Sequence, residues 1–155
     1  MEIGKNFTTT LKKDADGFYQ VILGRITPYA KYNPLSQSMI DKFNLSPKFG
    51  EGKPPKLSHG LNLLDQIARR SIVPANAICF EIAQVCSKQG IDGAQYITGK
   101  VRSAGPSYTC LEGYLEQQQP RLLRFKLRGS FLPLQQKGHG YRYDIKLITW
   151  DLADD

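Results

Sequence analysis

The chain has little of what most catalytic and metal sites are built from. It holds two histidines, His59 and His139, and three cysteines, Cys79, Cys86 and Cys110. No CxxC pair or Cys/His cluster is present, so no structural zinc or other metal site is expected. An odd number of thiols points to a reducing compartment rather than a disulfide framework. Walker-type loops, GxGxxG, GxSxG and HExxH are all absent, and Gly138-His139-Gly140 is too short to cradle a phosphate; no cofactor is expected. Apolar runs such as Val21–Leu23 and Ala77–Phe80 are far too short to cross a bilayer. Met1–Asn6 lacks the apolar stretch of a signal peptide. The expectation is a soluble cytoplasmic protein with no membrane partner.

Acids are scarce in one place. Between Arg121 and Lys146 stand seven basic residues and a single acid, Asp144, and this stretch supplies +6 of the formal +7. The other fourteen bases face thirteen acids. The basic residues are also ordered: in Leu123-Arg124-Phe125-Lys126-Leu127-Arg128 every even position is cationic and every odd one apolar. A strand has period two, so one face of it would be apolar and the other a row of cations.

Length and composition fit one α+β domain spanning residues 1–155. Phe7–Lys13 and Phe18–Ile26 read as an N-terminal β-hairpin turning at Asp14–Gly17. Ser36 can cap a short helix that buries Met39, Ile40 and Phe43. Residues 46–57, rich in Pro, Gly and Lys, read as a loop. Ser58, with Leu61, Leu64, Ile67 and Ala68, predicts a helix ending at Arg69-Arg70. Over residues 74–89, Ile78, Ile82, Val85 and Cys86 fall at helical spacing between Pro74 and Gly90. A helix is preferred there, although Ile78, Phe80 and Ile82 also alternate as a strand would. Two or three central helices result. Tyr96–Arg102, Tyr108–Leu115, Leu122–Leu134 and Tyr141–Trp150 then form a four-stranded antiparallel meander. An acidic tail from Asp151 to Asp155 is expected to fray.

A turn over Gln135–Gly140 would set Arg124, Lys126 and Arg128 beside Arg142, Asp144 and Lys146 on one solvent face. Tyr141, Tyr143, Ile145 and Leu147 would join Phe125 and Leu127 beneath it. Like charges on neighbouring strands repel, and an anionic partner relieves that cost; the ordinary alternative is a solvated edge that resists aggregation. Binders of single-stranded nucleic acid add rings on which bases stack. The candidates are Tyr29, Tyr32, Phe49, Tyr108, Tyr114 and above all Trp150, which shares the charged parity of its strand, as does Ile148. The proposed nucleic-acid contacts are Arg124, Lys126, Arg128, Lys137, Arg142, Lys146 and Trp150, with Lys53 and Lys56 from the basic loop.

The run Leu64 to Ile82, with its Cys79-Phe80-Glu81-Ile82, resembles a helix-to-strand segment of EAL-type cyclic-di-GMP phosphodiesterases. Ala83-Gln84 replaces that family's Thr-Glu, its Asp-Asp-Phe-Gly motif is absent and the chain is too short for its barrel, so no family is assigned. The resemblance implies only that Ala77–Ile82 is a strand. The strand pattern of the second half is similar to small oligonucleotide-binding barrels, without fingerprint residues. Three functional readings follow in order: a non-catalytic nucleic-acid binder, single strands favoured; an assembly component or inhibitor docking on an acidic protein; and a small metal-independent ribonuclease using His59 and His139. Asp144-Ile145-Lys146 also matches the end of a metal-nuclease motif, with Glu112 or Glu116 as the upstream acid.

Overall fold

A computed structural model describes residues 13–52, 71–116, 124–135 and 141–153. Six strands dominate: β1 (Tyr19–Ile26), β2 (Lys48–Glu51), β3 (Ile78–Gln89), β4 (Gln95–Ser103), β5 (Phe125–Gln135) and β6 (Tyr141–Leu152). Two α-helices accompany them among the described residues, α1 (Gln37–Phe43) and α2 (Thr109–Glu116), with a 3-10 turn at Ala75–Ala77. The fold is therefore mostly β, and the expected α+β arrangement around two or three central helices is overturned. The first four strands form an antiparallel sheet in the order β1-β4-β3-β2, and β5 and β6 form a separate antiparallel hairpin. Among the described residues the expected four-stranded meander is not formed.

Local rules hold where the chain obeys them in isolation. Asp14 Oδ1 accepts from the N–H groups of Asp16 and Phe18, both at 2.9 Å, and Gly17 takes φ +86°, so the expected turn forms. The described partner of β1 is β4; residues 7–12 of the first arm expected at Phe7–Lys13 lie outside the described residues, as does the helix expected at 58–70. Ser36 Oγ caps α1 by accepting from Met39 N–H at 3.2 Å, and Ile40 and Phe43 are buried as expected.

Two elements exchange identity. The segment expected to be helical at 74–89 holds a 3-10 turn and the 12-residue strand β3, and Tyr108–Leu115, expected as a strand, falls almost wholly in α2, whose Leu111 and Leu115 are buried one helical turn apart. The loop expected at 46–57 contributes the edge strand β2. It approaches the hairpin closely because Gly50 has no side chain: a Cβ there would overlap the Trp150 carbonyl oxygen and the Phe80 ring.

Bulges explain why the spacing misleads. The register slips by one residue at Leu23 in β1, at Gln84–Val85 in β3 and at Ile148 in β6. Gln84 takes φ +51°, a left-handed value that a bulge imposes on it. Each extra residue converts a two-residue step between inward side chains into a step of three: Leu23 to Ile26, Ile82 to Val85, Leu147 to Trp150. All six are buried or packed on the core. A strand with one such step imitates helical spacing.

The hairpin lies against the main sheet, and the interface between them is the core. The Phe125 ring meets Phe80 edge-on at 5.5 Å, and Trp150 meets Phe43 at 5.3 Å. Leu23, Ile97, Val101, Ile145 and Leu152 fill the same cluster, closed by Leu111 and Leu115 of α2.

Candidate anion-binding surface

The row of cations expected on β5 and β6 is interrupted at its centre. Arg128 is 5% exposed. Its Nε and Nη2 hold both Asp151 oxygens at 2.8 and 2.9 Å, its Nη2 lies 3.3 Å from Glu51 Oε1, and its Nη1 donates to Ile72 O at 3.0 Å. Asp151 Oδ1 accepts in addition from Glu51 N–H at 2.9 Å. Asp151 is thus a buried member of β6 and not the start of a frayed tail. Burial pushes its carboxyl above the usual carboxylate range, outweighing the downward pull of the Arg128 hydrogen bonds. Arg128 ties β5, β6, β2 and the segment before β3 together, so it is withdrawn from the set of surface contacts.

Trp150 is withdrawn as well. The Ile148 bulge reverses parity along β6, so Ile145 and Leu147 share a face with Trp150 and Leu152 rather than with the charged residues. Trp150 is fully buried. Of the other rings, Tyr29 is exposed, Tyr108 is half exposed, and Tyr32 packs on the core; Phe49 lies in β2 and Tyr114 in α2.

What remains is divided. Arg124 and Lys126 are exposed at one end of the hairpin, Lys126 opposite Asp151 in register. Arg142 stands opposite Leu134 towards the other end. Lys53, Lys56, Lys137, His59 and His139 lie outside the described residues. Asp144, the only acid of the basic stretch, accepts from Asn33 Nδ2 at 3.0 Å. Among the described residues no three His, Cys, Asp or Glu side chains gather to hold a metal.

Lys146 is exposed opposite Ser130, and here the structure assembles something that sequence spacing does not show. It lines an open cleft of about 420 Å³ together with Lys42 of α1 and Lys48 of β2, with Ser36, Ser38 and Met39 beside them. Three lysines from three elements line it, and none of the described lining residues is acidic. Lys48 is partly occupied: its Nζ donates to the Phe43 carbonyl at 3.1 Å and to Ser46, closing the end of α1. These partners carry no charge. Asp41, the acid nearest on α1, accepts from Gln37 Nε2 at 2.8 Å and is not part of the lining. Lys42 escapes sequence reading because its neighbours in the cleft come from β2 and β6. The signal available was only that α1 carries a cation in its last turn.

No helix among the described residues is long and apolar enough to cross a membrane. No protein family, curated protein or solved structure matches this chain.

Proposed function

We propose that the protein is a non-catalytic nucleic-acid binder that holds the phosphates of a single strand in the Lys42–Lys48–Lys146 cleft. One observation carries this reading: three lysines from separate elements line one cleft without an acid among its described lining. Like charges lining one cleft repel in the free protein, and a phosphate group entering the cleft offsets that repulsion. A single strand is favoured over duplex because α1 has only seven residues and its Ser38, Met39, Lys42 and Phe43, with its cap Ser36, line the cleft, so among the described residues the helix beside the lysines is not free to enter a groove. Three free thiols suit a reducing, cytoplasmic setting.

The test is a salt titration of a labelled single strand with duplex as competitor. Neutralising three phosphates gives log K against log [salt] a slope of about −2. Lys146→Glu should lower single-strand affinity by roughly tenfold or more and flatten the slope, since it removes one cation and adds an anion. Failure to retain any strand at low salt overturns the reading. A complex with another protein that survives nuclease and is lost in Lys146→Glu would assign the lysines to an acidic protein instead.

A further inference from the structure

Two of the three free thiols are neighbours. Cys79 lies on β3 and is fully buried; Cys110 lies in the first turn of α2, partly exposed and packed on the core. Gly52, just past the end of β2, leaves room for both sulfurs. A Cβ there would stand 2.8 Å from Cys110 Sγ and 3.5 Å from Cys79 Sγ. Backbone hydrogen bonds hold the two segments together. Ala104 N–H donates to Cys79 O at 3.1 Å, Ser107 N–H to Ile78 O at 2.9 Å, and Cys110 N–H to Ser107 O at 3.1 Å.

The two sulfurs differ in what they can do. Burial, with the neighbouring Cys110 sulfur, pushes the Cys79 thiol up to about 12, so it is not the one to attack an oxidant. Cys110 is the sulfur of the pair that a small oxidant reaches. Thiols that sense oxidants have this form, a reachable sulfur beside a second one that resolves its oxidised state. Cys86, exposed on the same strand, has no such neighbour. It stands seven residues from Cys79, roughly 20 Å along β3.

We propose that Cys79 and Cys110 close a reversible disulfide when a peroxide reaches Cys110, pinning α2 to β3. The Cys110 thiolate attacks one peroxide oxygen; an S–O bond forms, the O–O bond breaks, and the departing hydroxide takes a proton to become water. Cys79 then attacks the Cys110 sulfenic acid: the S–S bond forms, the S–O bond breaks, and the second hydroxide leaves with the Cys79 proton as water. One peroxide is reduced and two thiols are oxidised. In a reducing compartment the link is transient, since small-molecule thiols reopen it. This chemistry is independent of strand binding in the lysine cleft.

The test uses Cys86→Ser, which removes the competing thiol, reduced, freed of reductant and treated with dilute hydrogen peroxide. Its intact mass should fall by two hydrogens, a peptide map should join Cys79 to Cys110, and dithiothreitol should restore both thiols. The linked form should melt about 5–10 °C above the reduced form, because the closed loop restrains the unfolded chain. Adding Cys110→Ser should leave Cys79 unoxidised by the same treatment. Where Cys110→Ser itself lowers the melting temperature, the mass and map of Cys86→Ser decide alone. Added oxygens on Cys110 with Cys79 still a free thiol overturn the disulfide, because the second sulfur is then out of reach. Oxidation of Cys79 in a folded Cys110→Ser variant overturns Cys110 as the point of entry. A linked form that melts below the reduced one overturns the pinning of α2 to β3, since the bond then forms only by distorting the fold.

Discussion

Arg128 and Lys146 are cations on the same hairpin, on the same face of it by register, and they have opposite fates. Arg128 is enclosed by two carboxylates and a carbonyl; Lys146 is exposed beside two further lysines. The difference lies in what the rest of the chain brings to each. β2 reaches the hairpin at Arg128 through Glu51, and beside it through the Phe49 carbonyl, which accepts from Thr149 Oγ1 at 2.8 Å. Its other end brings Lys48 towards Lys146. One strand thus supplies an acid to one cation and a base to the other. A charge is structural or available according to the acids within its reach, and those are set by tertiary packing.

The largest expected effect comes from breaking the enclosed half. Arg128→Met leaves Glu51 and Asp151 buried without their cation and should destabilise by about 3–5 kcal/mol in urea unfolding. Restoring neutrality with Arg128→Met, Glu51→Gln and Asp151→Asn together should recover part of that loss. No recovery would mean that the guanidinium acts by packing rather than by charge.

Lys146→Glu is the mirror experiment. It should leave the unfolding free energy within about 0.5 kcal/mol of the parent, as surface substitutions do, while strand affinity falls. A loss of stability as large as that of Arg128→Met would erase the contrast and make Lys146 structural too.

This contrast was half legible in the sequence. The cap of α1, the turn at Gly17, strand β4 and the pairing of β5 with β6 follow from rules that act over a few residues. The burial of Arg128 does not, because Glu51 and Asp151 lie 100 residues apart. Trp150 was misplaced by a single residue, the bulge at Ile148, since one insertion moves every later side chain to the other face. β3 was misread for the same reason: its Ile82–Val85 step matches a helix as well as a bulged strand. α2 hid behind Tyr108, Thr109 and Cys110, residues of strand character, and only the Leu111–Leu115 pair carried its period. Of the candidate cleft, Lys146 and the lysine-rich nature of the loop that begins at Lys48 were visible; Lys42 was not.

Acid titration sharpens the difference between enclosed and accessible charge. Asp92 is a partly exposed counterpart to Asp151: hydrogen bonds from Arg25, then from Ala94 N–H and Tyr96 Oη, hold its carboxyl down to about 2. A carboxyl with a lowered folded value stabilises the protein above its unfolded value, near 3.8, and that contribution is lost as pH falls towards 2. Asp151 is raised, so its sign is reversed: its contribution is full below the unfolded value and is lost as pH climbs through the raised one. Asp92→Asn should therefore flatten the stability curve between pH 4 and 2, and carboxyl NMR should find Asp151 titrating above the ordinary aspartate range. Asp151 titrating at or below that range would mean that Arg128 outweighs burial.

Thiol labelling gives the smallest effect and examines the core that the hairpin shares with α2. Cys86 lies on the exposed side of β3, while Cys79 is fully buried beside Cys110. Burial, with the neighbouring Cys110 sulfur, pushes the Cys79 thiol up to about 12, so almost no thiolate forms at neutral pH. In the native protein Cys86 should react first with a thiol reagent, Cys110 more slowly, and Cys79 only at the rate of unfolding. Arg128→Met should accelerate Cys79, because opening the fold is the route to that sulfur, while Lys146→Glu should leave the rate unchanged. Equal acceleration by the two substitutions would show that the cleft and the buried clamp share one opening motion, and the two cations would then differ in surroundings but not in their part in stability.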